Sequence, residues 1–136
     1  MEHRIGGLEK EDGSGVVSTD PMNHQKMVEI RQRKVDNIAN DIPELEVVGA
    51  SEGDLLLLSW GSTYGAAKIA VEKLQAQGHK ISHAHLRYLN PFPRNLGDVL
   101  HRFDRVVIPE LNLGQLKNLI QAKYLKPVIG INKVQG

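Results

Sequence analysis

The sequence predicts an α/β fold: one three-layer α/β/α domain built around a mixed, mostly parallel sheet. Three observations lead there. Leu55-Leu56-Leu57-Leu58-Ser59-Trp60 is a short, almost continuous apolar run, the pattern of a strand covered on both faces. From that run onward, segments of strand and helix character alternate, as they do where helices cross over a parallel sheet. A length of 136 residues suits one domain, large enough to bury a core without staples.

The elements follow in order. Met1 to Thr19 is rich in Gly, Ser and charge and reads as an arm, flexible or docked on a partner. Asp20-Pro21 is a helix start: the Asp20 carboxylate can accept from free backbone N–H groups, and Pro21 suits the first helical position. The helix is expected to run to about Asn40, with Met27, Ile30, Val35, Ile38 and Ile42 on one face and Pro43 as its stop. Glu46 to Val48 reads as a short edge strand. Gly53-Asp54 turns into the Leu55–Trp60 strand, and Gly61-Ser62-Thr63 breaks that strand and opens a helix with Ala66, Ala67, Ala70, Val71 and Leu74 inward. Gly78 is placed for a left-handed cap. Then come a strand over Lys80 to Leu86, a loop marked by Pro91 and Pro93, and a short helix from Asn95 to Phe103. A third core strand follows over Arg105 to Pro109, then a helix over Leu113 to Leu125 with Leu116, Leu119, Ile120 and Ala122 available for burial, and a last strand over Val128 to Ile131. The division expected is an arm over 1–19 and a domain over 20–136 that includes the helix at 20–42. No helix follows the last strand, which fits a piece of a longer protein.

Composition removes several kinds of function. There is no cysteine, so disulfides, zinc–thiolate sites and cysteine-ligated clusters are excluded from this chain. A net charge of +1 provides no basic field for nucleic acid, and two Phe, three Tyr and one Trp make a poor platform for stacked bases. No apolar run approaches the length of a membrane span. The expectation is no nucleic acid, no membrane and a cytoplasmic location.

Residue chemistry offers three candidates. Gly61-Ser62-Thr63-Tyr64-Gly65 follows a strand and opens a helix, where free N–H groups can hold an anion. Its glycine spacing is not the dinucleotide fingerprint, and no acidic residue ends the next strand. A tight capping turn is the favoured reading, with Gly61, Ser62, Thr63 and Gly65 as a candidate small-anion site. His83 and His85 alternate on a strand and share a face; with no third donor evident, hydrogen-bonded, half-buried histidines are favoured over a metal site. His3, His24, His79 and His101 show no metal spacing. Pro109-Glu110-Leu111-Asn112-Leu113-Gly114-Gln115 leaves the C-terminal end of a strand, the edge where ligands and partners of open parallel sheets usually sit. Glu110, Asn112 and Gln115 are therefore candidate interface residues without core duty, with Asn112 also able to cap the next helix. No catalytic, cofactor-binding or metal residue is assigned.

Five segments carry a resemblance. They are Asp20-Pro-Met-Asn-His24, Ser59-Trp-Gly-Ser-Thr-Tyr-Gly65, Leu86-Arg-Tyr-Leu-Asn-Pro-Phe-Pro93, Pro109-Glu-Leu-Asn-Leu-Gly-Gln115 and Lys133-Val-Gln-Gly136. In this order the chain resembles the C-terminal domain of the α subunit of 2-oxoacid:ferredoxin oxidoreductases, the 2-oxoglutarate type most of all. Near the start the family often has Gly-x-Glu-His-Asp-Glu, where this chain reads Gly7-Leu8-Glu9-Lys10-Glu11-Asp12 and lacks the histidine. The second half also resembles the last domain of transketolase-type thiamine enzymes. That likeness implies a five-stranded sheet in the order 1-3-2-4-5 with the first strand antiparallel. The family resemblance implies a structural and subunit-contact domain of an enzyme that oxidatively decarboxylates a 2-oxo acid to its acyl-coenzyme A. Thiamine diphosphate, magnesium and an iron–sulfur cluster are implied for the parent complex, with coenzyme A as co-substrate. The implied partners are the N-terminal domain of the same subunit, the β subunit and ferredoxin. Two alternatives stand beside it: a domain of another thiamine enzyme, such as a dehydrogenase β subunit, and a stand-alone small-anion-binding module.

Overall fold

The computed structural model describes residues 7–135; His3, Gly6 and the closing Gly136 lie outside the described residues. The chain forms two compact units, which divide between Asp41 and Ile42. The first helix therefore belongs with the arm, not with the sheet.

In the first unit, helix α1 spans Pro21–Asn37 and continues as a 3-10 turn over Ile38–Asn40. Asp20 caps it as the sequence suggests: its Oδ1 accepts the Met22 N–H at 3.0 Å. The expected apolar face is present but shallow, since no residue of α1 is buried. Residues 7–19 fold back on themselves, with a bridge between Lys10 and Val17, and are clasped to α1. The Glu9 carboxylate receives both ends of the Arg31 guanidinium, at 3.1 and 3.2 Å, and lies 2.8 Å from Nδ1 of His24. Lys26 pairs with Asp12 at 3.0 Å, and Asn23 donates to the Lys10 carbonyl at 3.0 Å. The Asp20–His24 segment thus brings one helix cap and one partner of Glu9.

The second unit is the sheet domain. Strands β1 (Val47–Val48), β2 (Gly53–Trp60), β3 (Ser82–Leu86), β4 (Phe103–Glu110) and β5 (Ile129–Asn132) lie in the order β1-β3-β2-β4-β5. β1 runs antiparallel to β3; the other pairings are parallel. This is the order and direction that the transketolase likeness implies. Helices α2 (Tyr64–Ala76), α3 (Leu96–His101) and α4 (Gln115–Tyr124) complete the layers.

The leucine run explains the layering. Leu56 and Leu58 enter the larger core with Ala84, Leu86, Val106 and Ile108, against Leu96, Val99 and Leu100 of α3 and Leu116 and Ile120 of α4. Leu57, between them in sequence, points to the opposite face and packs with Ile81, Ala67 and Val71, because side chains alternate along a strand. That second face is thin. Of the α2 residues expected inward, Ala67 and Val71 are buried, whereas Ala66, Ala70 and Leu74 are exposed. The helix meets the sheet along one i, i+4 stripe, and positions one residue away rotate off it. Likewise α4 buries Leu116 and Ile120 but leaves Leu119 and Ala122 exposed. Gly49 allows the approach of β1 to β3: its φ is +107°, and a Cβ there would lie 3.0 Å from Ser82 Oγ.

The clasp carries a pH signature. Its hydrogen bonds to Arg31 and His24 hold the Glu9 carboxyl down from 4.5 to about 2. A folded pKa below the unfolded one means that stability is present above the unfolded value and is lost as pH falls from about 4.5 toward 2. We expect the bonds around residues 7–19 to become more susceptible to an acid-active protease across that window, and Glu9→Gln to show the susceptible state already at neutral pH. Equal cleavage of both proteins at every pH would contradict the clasp.

Candidate functional site

Because β2, β3 and β4 are parallel, the segments that follow them leave the same edge of the sheet. All three sequence candidates sit at or near that edge.

After β2, Gly61–Thr63 forms a 3-10 turn, with Gly61 at φ +58°. The Thr63 hydroxyl bonds back to Trp60, donating to its carbonyl at 2.7 Å and accepting its N–H at 3.2 Å. It does not cap α2 with its side chain. Gly61, Ser62 and Gly65 are exposed. The candidate anion turn is thus a tight turn whose best-placed hydroxyl is already engaged.

On β3, His83 and His85 share one face, as expected, and meet at one atom. Ser59 Oγ lies 2.8 Å from His83 Nε2 and 2.8 Å from His85 Nδ1. Tyr64 covers the pair, with ring centroids 5.9 Å from His83 and 4.9 Å from His85. Burial pushes both imidazoles below their usual pKa; the other histidine adds to this at His83, and the charge of Arg87 adds at His85. Both rings are held toward the neutral form. Among the described residues no three His, Cys, Asp or Glu side chains assemble as metal ligands.

The segment after β4 differs most from its sequence reading. Glu110 was expected to face a partner and carry no core duty. It is 1% exposed, and both carboxylate oxygens are committed: Oε1 accepts the Leu116 N–H at 2.8 Å and Oε2 the Lys117 N–H at 3.0 Å. A charge at the end of a strand is tolerated in the core because it meets the free N–H groups and positive dipole end of α4. Asn112 Oδ1 accepts the N–H groups of Gly114 and Gln115, at 2.7 and 2.9 Å, so its capping role is present. Gly114 joins the two caps: it is buried at φ +93°, and a Cβ would lie 2.9 Å from Asn132 Nδ2. Gln115 is exposed. Two residues not singled out in the sequence stand beside it: Leu111 and Leu113 are 53% and 83% exposed. Their signal was their apolar character on either side of a capping Asn, in a loop that has no other use for them.

A cavity of about 230 Å³ opens beside β3, between the Pro43–Glu46 approach to β1 and the segment from His83 to Tyr88. Asn95 holds one wall. Its side chain accepts the Leu45 N–H at 2.8 Å and donates to the Leu45 carbonyl at 2.9 Å, completing the backbone bonds that the two-residue strand β1 lacks there.

Comparison with known proteins follows from this architecture. Residues 53–136 match the model of the pyruvate:ferredoxin oxidoreductase core domain II. The chain belongs to that family. It is 52% identical over 137 residues to the 2-oxoglutarate oxidoreductase subunit KorA of Mycobacterium tuberculosis, a match covering 100% of this chain and 21% of that protein. It is 35% identical over 119 residues to the α subunit of 2-oxoacid:ferredoxin oxidoreductase 1 of Aeropyrum pernix, covering 82% of this chain and 19% of that one. Among solved structures, the 2-oxoglutarate:ferredoxin oxidoreductase of Magnetococcus marinus, with 2-oxoglutarate, coenzyme A and succinyl-CoA bound, superposes with a TM-score of 0.86. That match is 29% identical and covers 97% of this chain and 23% of that one. The core domain II chain thus spans about a fifth of the length of the curated relatives it matches.

Glu110 gives the first test in this core domain II. Glu110→Ala leaves two helix N–H groups without their acceptor and empties a buried site, which is expected to cost about 2 kcal/mol in urea unfolding. Gln115→Ala is expected to change stability by less than about 0.5 kcal/mol. Equal, small effects for both would return Glu110 to the surface role read from sequence.

Proposed function

We propose that the chain is the structural and subunit-contact domain of the α subunit of a 2-oxoacid:ferredoxin oxidoreductase, of the 2-oxoglutarate type. The parent enzyme oxidatively decarboxylates its 2-oxo acid to the acyl-coenzyme A and passes electrons to ferredoxin. The observation that carries this reading is the 52% identity to a 2-oxoglutarate oxidoreductase subunit along the whole chain. The family match to core domain II favours it over a dehydrogenase β subunit or a stand-alone anion-binding module.

In this reading the chain positions and contacts; the chemistry lies elsewhere. Thiamine diphosphate with magnesium and an iron–sulfur cluster belong, in this reading, to the parent complex, and this chain does not ligate a cluster through cysteine. There is no cysteine in the sequence to ligate a cluster, and no three metal-ligating side chains gather among the described residues. The contact surface is the loop after β4. Glu110 and Asn112 hold it rigid from within, while Leu111, Leu113 and Gln115 point outward. Exposed leucines beside a polar amide are the composition of an interface centre with its rim. The N-terminal domain of the same subunit and the β subunit are its proposed partners, in a cytoplasmic complex. No helix among the described residues is long and apolar enough to cross a membrane.

The test uses the complete α subunit carrying this segment. Leu113→Asp combined with Gln115→Ala is expected to leave the unfolding transition of the isolated chain within about 0.5 kcal/mol while weakening co-purification of α with β and lowering 2-oxo-acid-dependent dye reduction. Unchanged assembly and activity would remove the contact role. Dye reduction by the 136-residue chain alone, free of contaminating enzyme, would refute the division of labour.

A further inference from the structure

The cavity beside β3 is lined by charges of both signs that form no ion pair with one another. β1 pairs antiparallel with β3, Val47 opposite Ala84 and Val48 opposite His83. Glu44 and Glu46 lie just ahead of β1, and Arg87 lies just after β3. From the β1 side Glu44, Glu46 and Val48 line the cavity, and from the β3 side His83, His85 and Arg87. Yet none of Glu44, Glu46 and Arg87 takes part in an ion pair among the described residues. Asn95 fixes the Leu45 backbone between the two carboxylates, and Ser59 fixes both imidazoles, while the side chains of Glu44, Glu46 and Arg87 are exposed. Tyr64 lies against the two imidazoles.

We infer that this cavity binds a free α-amino acid as its zwitterion, the carboxylate on Arg87 and the ammonium on Glu44 and Glu46, with an apolar side chain against Pro43, Leu45 and Pro93. Three points decide the ligand class. The size, about 230 Å³, falls below the roughly 300–1,000 Å³ of pockets for drug-sized ligands and suits a small ligand. The charge is the second point: two carboxylates and one guanidinium complement a ligand carrying both signs and repel a dianion such as 2-oxoglutarate. The third is availability, since the guanidinium and both carboxylates are exposed and none is in an ion pair among the described residues. The site does not rest on the reading of the chain as an oxidoreductase domain, and either can fail without the other.

The test is a titration of the 136-residue chain with L-leucine, followed by NMR of the His85 and Tyr64 rings. N-acetyl-L-leucine, L-leucine amide and 2-oxoglutarate serve as comparison ligands. L-leucine is expected to give saturable shifts. Each blocked compound should bind more weakly by about tenfold or more, since each loses one charged contact of roughly 1.4 kcal/mol, and 2-oxoglutarate should not compete. Arg87→Gln and Glu46→Gln are expected to weaken L-leucine by a similar factor while keeping the dispersed spectrum of the folded chain. Should either variant unfold, the blocked ligands make the same distinction on the unaltered chain. No saturable shift up to about 10 mM, equal binding of N-acetyl-L-leucine, or preference for 2-oxoglutarate would each overturn the site.

Discussion

Burial of β2 on both faces is the constraint from which the rest of the sheet domain follows. Leu56 and Leu58 face one core and Leu57 the other, so β2 has to be central, with helices above and below. A strand covered on both faces has parallel neighbours joined by crossovers, and parallel neighbours send their following segments to one edge. The Trp60–Thr63 turn, the Arg87–Pro93 segment and the Glu110–Gly114 loop converge for that reason. Each leucine buried there is worth about 1.5–3 kcal/mol relative to exposure, enough to fix the strand's place against local preferences elsewhere.

Glu110 shows how such a fold holds a charge in its interior. A carboxylate without partners would be expelled or neutralised. Here the end of β4 and the start of α4 are brought together by a loop that Gly114 alone can close, at φ +93°, and the two N–H groups at the helix start do the work of solvent. The same contact makes the loop rigid, so that Leu111 and Leu113 are presented outward by a fixed backbone.

What could be read from the sequence followed how local the cause was. The Asp20-Pro21 cap, the β2 run, the helix-ending role of Gly78 and the shared face of His83 and His85 are each decided within a few residues, and the structure has them. The strand order came from resemblance, since no local rule sets which side of β2 takes β3. The burial of Glu110 was illegible because its partners, Leu116 and Lys117, lie six and seven residues ahead, outside the window in which caps are recognised, and strand-end polarity alone suggests exposure. The over-assigned faces of α2 and α4 have another cause. Periodicity marks residues that could be buried, whereas the width of the buried stripe depends on how the helix sits on the sheet. The cavity beside β3 was hidden for a third reason: Glu44 and Glu46 come to line one cavity with His85 and Arg87 through a pairing of only two residues, too short to announce itself. The docked arm depends on Glu9 meeting Arg31 across 22 positions, and composition alone reads such a segment as loose.

The hydroxyl shared by His83 and His85 ties two rings into one titrating system. Ser59 has one proton to give. With both rings neutral it can donate to only one of them, and the other ring must donate to its oxygen. The tautomer of each histidine therefore dictates that of its neighbour. Protons taken up by such a pair arrive in macroscopic steps that belong to neither residue alone, and a ring-by-ring titration curve would describe a fiction. Reversing which imidazole keeps a free lone pair and which keeps a free N–H therefore takes a change of tautomer in both rings together with a rotation of the one hydroxyl between them.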